Sequence, residues 1–218
     1  MNKYVIIFVL LISLLFFYSK IKKLNNKIYM PSGDRGEIQN LPKNLKKIMG
    51  DTFFTRQVPG DNSCFYHAIL YCTSSEYKQE SCEKNKRDLV KKFRLSLLNS
   101  ISEDYYKKEL SGFVNKNTLI TNLVDYNSWA GSIEWKIVVD YLKINIIMFR
   151  KSTDSIYCGW GIDNFNPSYK TIFILNIGDI HYDPIIFMND NKIQSIFKSS
   201  TPIINKIIEY GKSFCSSI

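Results

Sequence analysis

The stretch Val58-Pro59-Gly60-Asp61-Asn62-Ser63-Cys64-Phe65-Tyr66-His67-Ala68-Ile69-Leu70-Tyr71 runs from a turn straight into an apolar helical pattern. Pro59 and Gly60 interrupt whatever precedes them, Asp61, Asn62 and Ser63 are turn and cap formers, and Cys64 is thereby expected at a helix N-terminus. That place has chemical meaning. A thiol is a nucleophile only as thiolate, and the unpaired amides and dipole of a helix N-terminus favour negative charge. The turn also leaves backbone N–H groups free beside Cys64, donors of the kind that hold an oxyanion. Asp61 has two readings: an ordinary turn or cap residue, or a carboxylate that accepts amide bonds in an Asx-type turn and aims its own N–H at that oxyanion.

Outward from this stretch, helical spacing is expected around Lys43–Met49, from Lys84 to Ile101 with Leu89, Val90, Phe93, Leu97, Leu98 and Ile101 on one face, in Leu119–Val124 and in Ile133–Leu142. From residue 144 the period changes to short β-branched runs: Ile144–Phe149, Ile156–Cys158, Thr171–Leu175 and His181–Ile186. Helices followed by a small, mainly C-terminal β-sheet make an α+β fold. No internal repeat interrupts it.

The chain has two histidines, so an imidazole base for Cys64 is either His67 or His181. His67 sits one turn along the same helix, with nothing nearby in sequence to orient its ring. His181 is followed by Asp183, and residues i and i+2 of a strand share a side, so the carboxylate can hold one ring nitrogen while the other meets the thiol. A strand histidine merely satisfied by its neighbour is the plainer alternative.

These pieces together resemble the ovarian-tumour (OTU) family of deubiquitinases. Asp61-Asn62-Ser63-Cys64-Phe65 is similar to that family's Asp-x-x-Cys-(Leu/Phe) motif, and Gly178-Asp179-Ile180-His181-Tyr182-Asp183-Pro184 to its Gly-x-His-Tyr-(Asp/Asn) motif. Trp129-Ala130-Gly131-Ser132-Ile133-Glu134 resembles its Trp-Gly-Gly-x-x-Glu helix start, and 117 residues separate Cys64 from His181. The wording is most like the branch that works with the AAA segregase in endoplasmic-reticulum quality control. The resemblance implies an OTU-type cysteine protease fold over residues 51–190 and hydrolysis of isopeptide bonds at the ubiquitin C-terminus through a Cys64 thioester. It implies His181 as base, Asp61 serving the oxyanion loop and Asp183 orienting His181, with no metal and no cofactor. Ubiquitin, polyubiquitin or a ubiquitin-like modifier is the implied partner, its narrow tail running beside Cys64 between Trp129 and Trp160. Ala130, Trp135 and Tyr66 depart from the family's usual residues without removing a catalytic group. A catalytically silent ubiquitin-binding or scaffold protein is the alternative function.

The ends of the chain read differently. Residues 4–19 are an uncharged apolar run between Lys3 and Lys20, expected as a transmembrane anchor, with a cleaved signal peptide or a buried helix as alternatives. Lys20, Lys22, Lys23 and Lys27 outnumber the charges before the run, which places the bulk of the chain in the cytosol. A basic juxtamembrane linker with a short helix occupies residues 20–50, and residues 191–218 are a C-terminal tail. Residues 1–50 hold nine Lys/Arg and two Asp/Glu, so only +2 of the formal +9 charge falls on the remaining 168 residues, and nucleic acid is not an expected partner. Five cysteines without a Cys-x-x-Cys pair suggest neither a zinc site nor a disulfide framework, and unpaired thiols agree with a reducing compartment.

Overall fold

The computed structural model describes residues 36–189 and 192–217, with the side chain of Trp160 outside the description. The apolar run at 4–19 and the linker up to residue 35 lie outside these residues. No helix among the described residues is long and apolar enough to cross a membrane.

The chain alternates early between sheet and helix: β1 (Ile38–Asn40), α1 (Lys43–Met49), β2 (Phe53–Arg56), then α2 (Cys64–Thr73), α3 (Ser75–Gln79) and α4 (Glu83–Asn99). A short α5 (Glu103–Tyr105) runs into a π-helical turn at Tyr106–Leu110, followed by α6 (Lys116–Val124) and α7 (Ser132–Leu142). The second half is β3 (Ile144–Arg150), β4 (Ser155–Ile156), α8 (Trp160–Asp163), β5 (Lys170–Ile177), β6 (His181–Asn189), β7 (Lys192–Gln194), β8 (Phe197–Lys198) and α9 (Pro202–Cys215).

One mixed sheet has the order β1-β2-β6-β5-β3-β4, with β7 paired to β6 and β8 to β5. Strands β3 and β5 are parallel, whereas β6 is antiparallel to both β5 and β2. The sheet is covered on both sides, which is why β3 and β5 read as continuous apolar runs instead of alternating ones. Ile144, Ile146, Met148, Ile172 and Ile174 pack with Phe65, Ile69, Val90, Leu97, Leu119 and Ile137 of the helical layer. The intervening Ile147, Phe149, Phe173 and Leu175 pack with Leu45, Met49, Phe53, Ile204, Ile207 and Ile208. The fold is α+β as expected, but the sheet also recruits β1 and β2 from the N-terminal side. Among the described residues, β1 and α1 precede residue 51 and β7, β8 and α9 follow residue 190, and all of them join the sheet or its second face. Neither β1 nor α9 carries a catalytic motif; β1 joins by antiparallel pairing with β2, and α9 because Ile204, Ile207 and Ile208 complete the second face of the sheet.

The cysteine expectation needs correction. Cys158 and Cys215 form a disulfide, with Cα atoms 5.5 Å apart and 57 residues between them in sequence. The bond ties the end of α9 to the segment after β4. Gly211 permits the approach, since a Cβ there would lie 2.7 Å from the Ile162 side chain. Spacing could not reveal this pair, because only the packing of α9 brings the two sulfurs together. Two of the five thiols therefore drop out of the argument for a reducing compartment. Of the remaining three, Cys64 and Cys72 are buried and Cys82 is exposed. Alkylation followed by mass spectrometry is expected to modify Cys82 much faster than the buried Cys64 and Cys72 in the native chain, these three cysteines equally after unfolding, and all five after reduction.

Candidate active site

Cys64 opens α2, its N–H bonded to the Asp61 carbonyl at 3.1 Å. The side chain is only 2% exposed. Its sulfur lies 3.9 Å from the Ile180 carbonyl, and the backbone N–H groups of Tyr182 and Phe65 are also directed at it. Cys64 thus lies against the backbone at the start of β6, the strand that carries His181, remote from it in sequence. The Phe65 and Tyr182 rings pack edge to face at 5.6 Å and fix the helix on the strand.

On β6 the i, i+2 spacing does what the sequence suggests. His181 donates from Nε2 to Asp183 Oδ1 at 2.9 Å, and the Val58 N–H reaches the same oxygen at 3.1 Å. Both side chains are buried. With its proton on Nε2, the imidazole carries its basic lone pair on Nδ1. Asp183 Oδ2 is buried without a hydrogen-bond partner.

The electrostatics of the resting thiol depart from the sequence expectation. Burial pushes the Cys64 thiol from its ordinary 9.0 up to about 12, and the Asp61 and Asp183 charges add to the rise against the opposing N–H groups of Tyr182 and Phe65. The helix terminus is present, but desolvation outweighs it, and the thiol rests protonated. Cys72, fully buried, is pushed up to about 12 by the same cause. Both thiols hold their proton more tightly folded than unfolded, so their contribution to stability is complete below pH 9 and is lost as pH rises toward 12.

Asp61 organises the turn. Its Oδ1 accepts the Ser63 N–H at 2.9 Å, the Asx-type arrangement expected. Its Oδ2 accepts the Tyr126 hydroxyl and lies 3.3 Å from His67 Nε2. Burial alone would raise this carboxyl, but the hydrogen bonds from His67, the Tyr126 hydroxyl and the Ser63 amide outweigh it and hold the group below its ordinary value. The Ser63 N–H and Cys64 N–H are taken by Asp61 itself, whereas the N–H groups of Asp61 and Asn62 form no hydrogen bond among the described residues.

His67 is fully buried and does a different job from His181. Its Nδ1 lies 2.6 Å from the Tyr77 hydroxyl and its Nε2 lies 2.9 Å from the Tyr126 hydroxyl. A proton on Nε2 satisfies the whole set: Tyr77 donates to Nδ1, Tyr126 donates to Asp61, and Nε2 donates to Tyr126 and Asp61. The ring is thus well oriented, by tyrosines 10 and 59 residues away. No short-range pattern in the sequence signals that set.

The Trp129–Glu134 motif caps α7: Glu134 is buried and its Oε2 accepts the Gly131 N–H at 2.8 Å. Gly131, Phe65, Trp135, Arg150, Tyr157 and Tyr182 line a cavity of about 150 Å³ beside the Cys64 helix. Arg150 stacks over the Tyr157 ring at 4.4 Å, and Trp135 packs on the same ring at 5.6 Å. Trp129 is 44% exposed and stands outside this lining, and Trp160 opens α8 with its side chain outside the described residues. Among the described residues no group of three or more His, Cys, Asp or Glu is placed to hold a metal ion.

A cysteine at a helix N-terminus, lying against the start of a strand whose histidine is locked by a carboxylate, is the arrangement that thiol hydrolases use. No family model matches the chain. Ubiquitin thioesterase OTU1 of Saccharomyces cerevisiae is 23% identical over 215 residues, a match that covers 88% of this chain and 62% of that protein. Among solved structures, an OTU domain in complex with ubiquitin is 26% identical, covering 75% of this chain and 85% of its own, with a TM-score of 0.49. The Hazara virus OTU bound to ubiquitin is 17% identical, covering 64% and 84%, with a TM-score of 0.46. The chain thus spans less than two thirds of the length of the yeast protein it matches.

Proposed function

We propose that this chain is an OTU-type cysteine protease that hydrolyses isopeptide bonds at the C-terminus of ubiquitin. The observation that carries the reading is the meeting of the Cys64 sulfur with the backbone of residues 180–182, where His181 is held by Asp183. In the reaction the Cys64 proton passes to His181 Nδ1 and the sulfur bonds to the scissile carbonyl carbon. The carbonyl oxygen takes the negative charge and is met by the Asp61 and Asn62 amides. The C–N bond then breaks, His181 returns the proton to the departing lysine amine, and water activated by His181 releases the thioester. Asp183 keeps the base in its reactive tautomer and Asp61 holds the turn. Trp129 and Trp160 wall the path of the ubiquitin tail.

The Asp-Asn-Ser-Cys and His-Tyr-Asp-Pro wording supports the branch of the family that works with the AAA segregase. Residues 4–19 anchor the chain in a membrane with the protease facing the cytosol, so its targets are ubiquitin conjugates at that membrane. Incubating the chain with a panel of di-ubiquitins is the direct test, and monoubiquitin should appear from at least one linkage. Ubiquitin binding without cleavage of any linkage would replace this reading with the silent scaffold. Faster turnover of a ubiquitin-like modifier would move the substrate while keeping the chemistry.

A further inference from the structure

Arg94 lies on the apolar stripe of α4, between Val90 and Leu97, and is 1% exposed. Such a buried cation ordinarily has a carboxylate partner. Arg94 has instead a ring of oxygen acceptors. Nε donates to the Leu123 carbonyl at 3.1 Å, and Nη2 donates to the carbonyls of Asn122 and Asp125. Nη1 donates to the carbonyls of Ser128 and Tyr126 at 3.1 and 3.4 Å, and to Ser63 Oγ at 2.7 Å. Its guanidinium also lies over the Tyr66 ring at 4.4 Å.

Two features make this more than a folding device. First, Ser63 Oγ, the residue before Cys64, accepts from Arg94 and donates to the Tyr126 carbonyl at 2.6 Å, so the nucleophile turn is bolted directly to the loop. Second, the loop so folded delivers the Tyr126 hydroxyl onto Asp61 Oδ2 and His67 Nε2. The turn is thus gripped twice, at Ser63 through the guanidinium and at Asp61 through the phenol.

We propose that Arg94 and Tyr126 are positioning residues for the reaction, holding residues 61–64 so that the Asp61 and Asn62 amides meet the oxyanion as it forms. The inference rests on the hydrolase reading above, with its added content being the remote grip on the turn. Neither residue touches the reacting atoms. Tyr126 gives the cleaner probe, because Tyr126→Phe removes one hydroxyl and keeps the ring. Loss of that charge-assisted bond is expected to lower kcat about tenfold with KM unchanged, since the misplaced amides matter in the transition state and not in ubiquitin binding. Arg94→Lys keeps the charge but cannot serve a ring of acceptors, and the same kcat-selective loss is expected, larger than that of Tyr126→Phe.

The experiment measures kcat and KM of the full chain on a ubiquitin C-terminal amide reporter, normalised to the folded fraction by circular dichroism. Beside it runs the rate of Cys64 alkylation by iodoacetamide in the same samples, with Cys82 as internal standard. A kcat loss at constant KM supports the proposal. An unchanged kcat for Tyr126→Phe, or a loss expressed in KM or in melting temperature alone, overturns it. Should wild type prove inactive on ubiquitin, the deubiquitinase reading fails, and the alkylation arm decides separately. A Cys64 rate altered about threefold in Tyr126→Phe upholds the grip on the turn, and an unaltered rate removes it.

Discussion

Replacing Cys64 with alanine is expected to reduce cleavage of ubiquitin conjugates to background, a loss of about 10⁴-fold or more, without a matching loss of ubiquitin binding. The size follows from the site. Once the sulfur is gone there is no atom to form the thioester, and the Asp61 and Asn62 amides are left with nothing to stabilise beyond what water can attack. The fold should tolerate the change, because Cys64 is a small buried side chain whose sulfur meets only backbone groups, the Ile180 carbonyl and the Tyr182 and Phe65 amides. A ubiquitin bearing a C-terminal electrophile will label wild type and not Cys64→Ala. Exposed Cys82 supplies the control: it reacts with small alkylating agents but lies outside the site, so Cys82→Ala should label normally. Persistent labelling of Cys64→Ala would mean that the nucleophile is another cysteine. Because burial holds the resting thiol up to about 12, the labelling rate should rise steeply with ubiquitin recognition and stay low for small haloacetamides at neutral pH.

The second large effect belongs to His181 and the carboxylate behind it. His181→Ala removes the only group on β6 able to take the thiol proton, and kcat should fall by about 10³- to 10⁴-fold. The informative comparison is at Asp183, whose Oδ1 accepts both from His181 Nε2 and from the Val58 N–H. Asp183→Asn keeps an oxygen that can accept both bonds, so its loss should stay near tenfold. Asp183→Leu removes the acceptor, lets the imidazole turn and strands two buried donors, and should approach the cost of His181→Ala. Equal activity of the Asn and Leu variants, measured as kcat with the folded fraction checked, would show that Asp183 has no part in orienting the base.

Much of the site was legible from local pattern because its chemistry depends on local geometry. A turn that runs into an apolar helix must put Cys64 at a helix terminus, and strand pleat must put His181 and Asp183 on one side. Glu134 three residues after Gly131 is legible for the same reason, since a capping carboxylate must lie one helical turn from the amide it serves. The state of charge of Cys64 was not legible. It is set by how deeply β6 and α2 bury the sulfur, a quantity that no window of sequence contains. Nor was the role of His67, whose partners Tyr77 and Tyr126 belong to α3 and the loop after α6.

Arg94 left a partial trace, a cation on the apolar face of an amphipathic helix, but nothing in sequence says that the carbonyls of residues 122–128 turn inward to receive it. The Cys158–Cys215 disulfide has a like origin, the docking of α9 on the second face of the sheet. By itself, then, the sequence determined the α+β class, the identity of the nucleophile and base candidates, and the turn between them, because each is written in backbone preferences over a few residues. The tertiary structure alone decided the thiol's protonation, the grip on the oxyanion turn and the cysteine pairing. Burial, buried-charge compensation and cross-links depend on which distant surfaces meet.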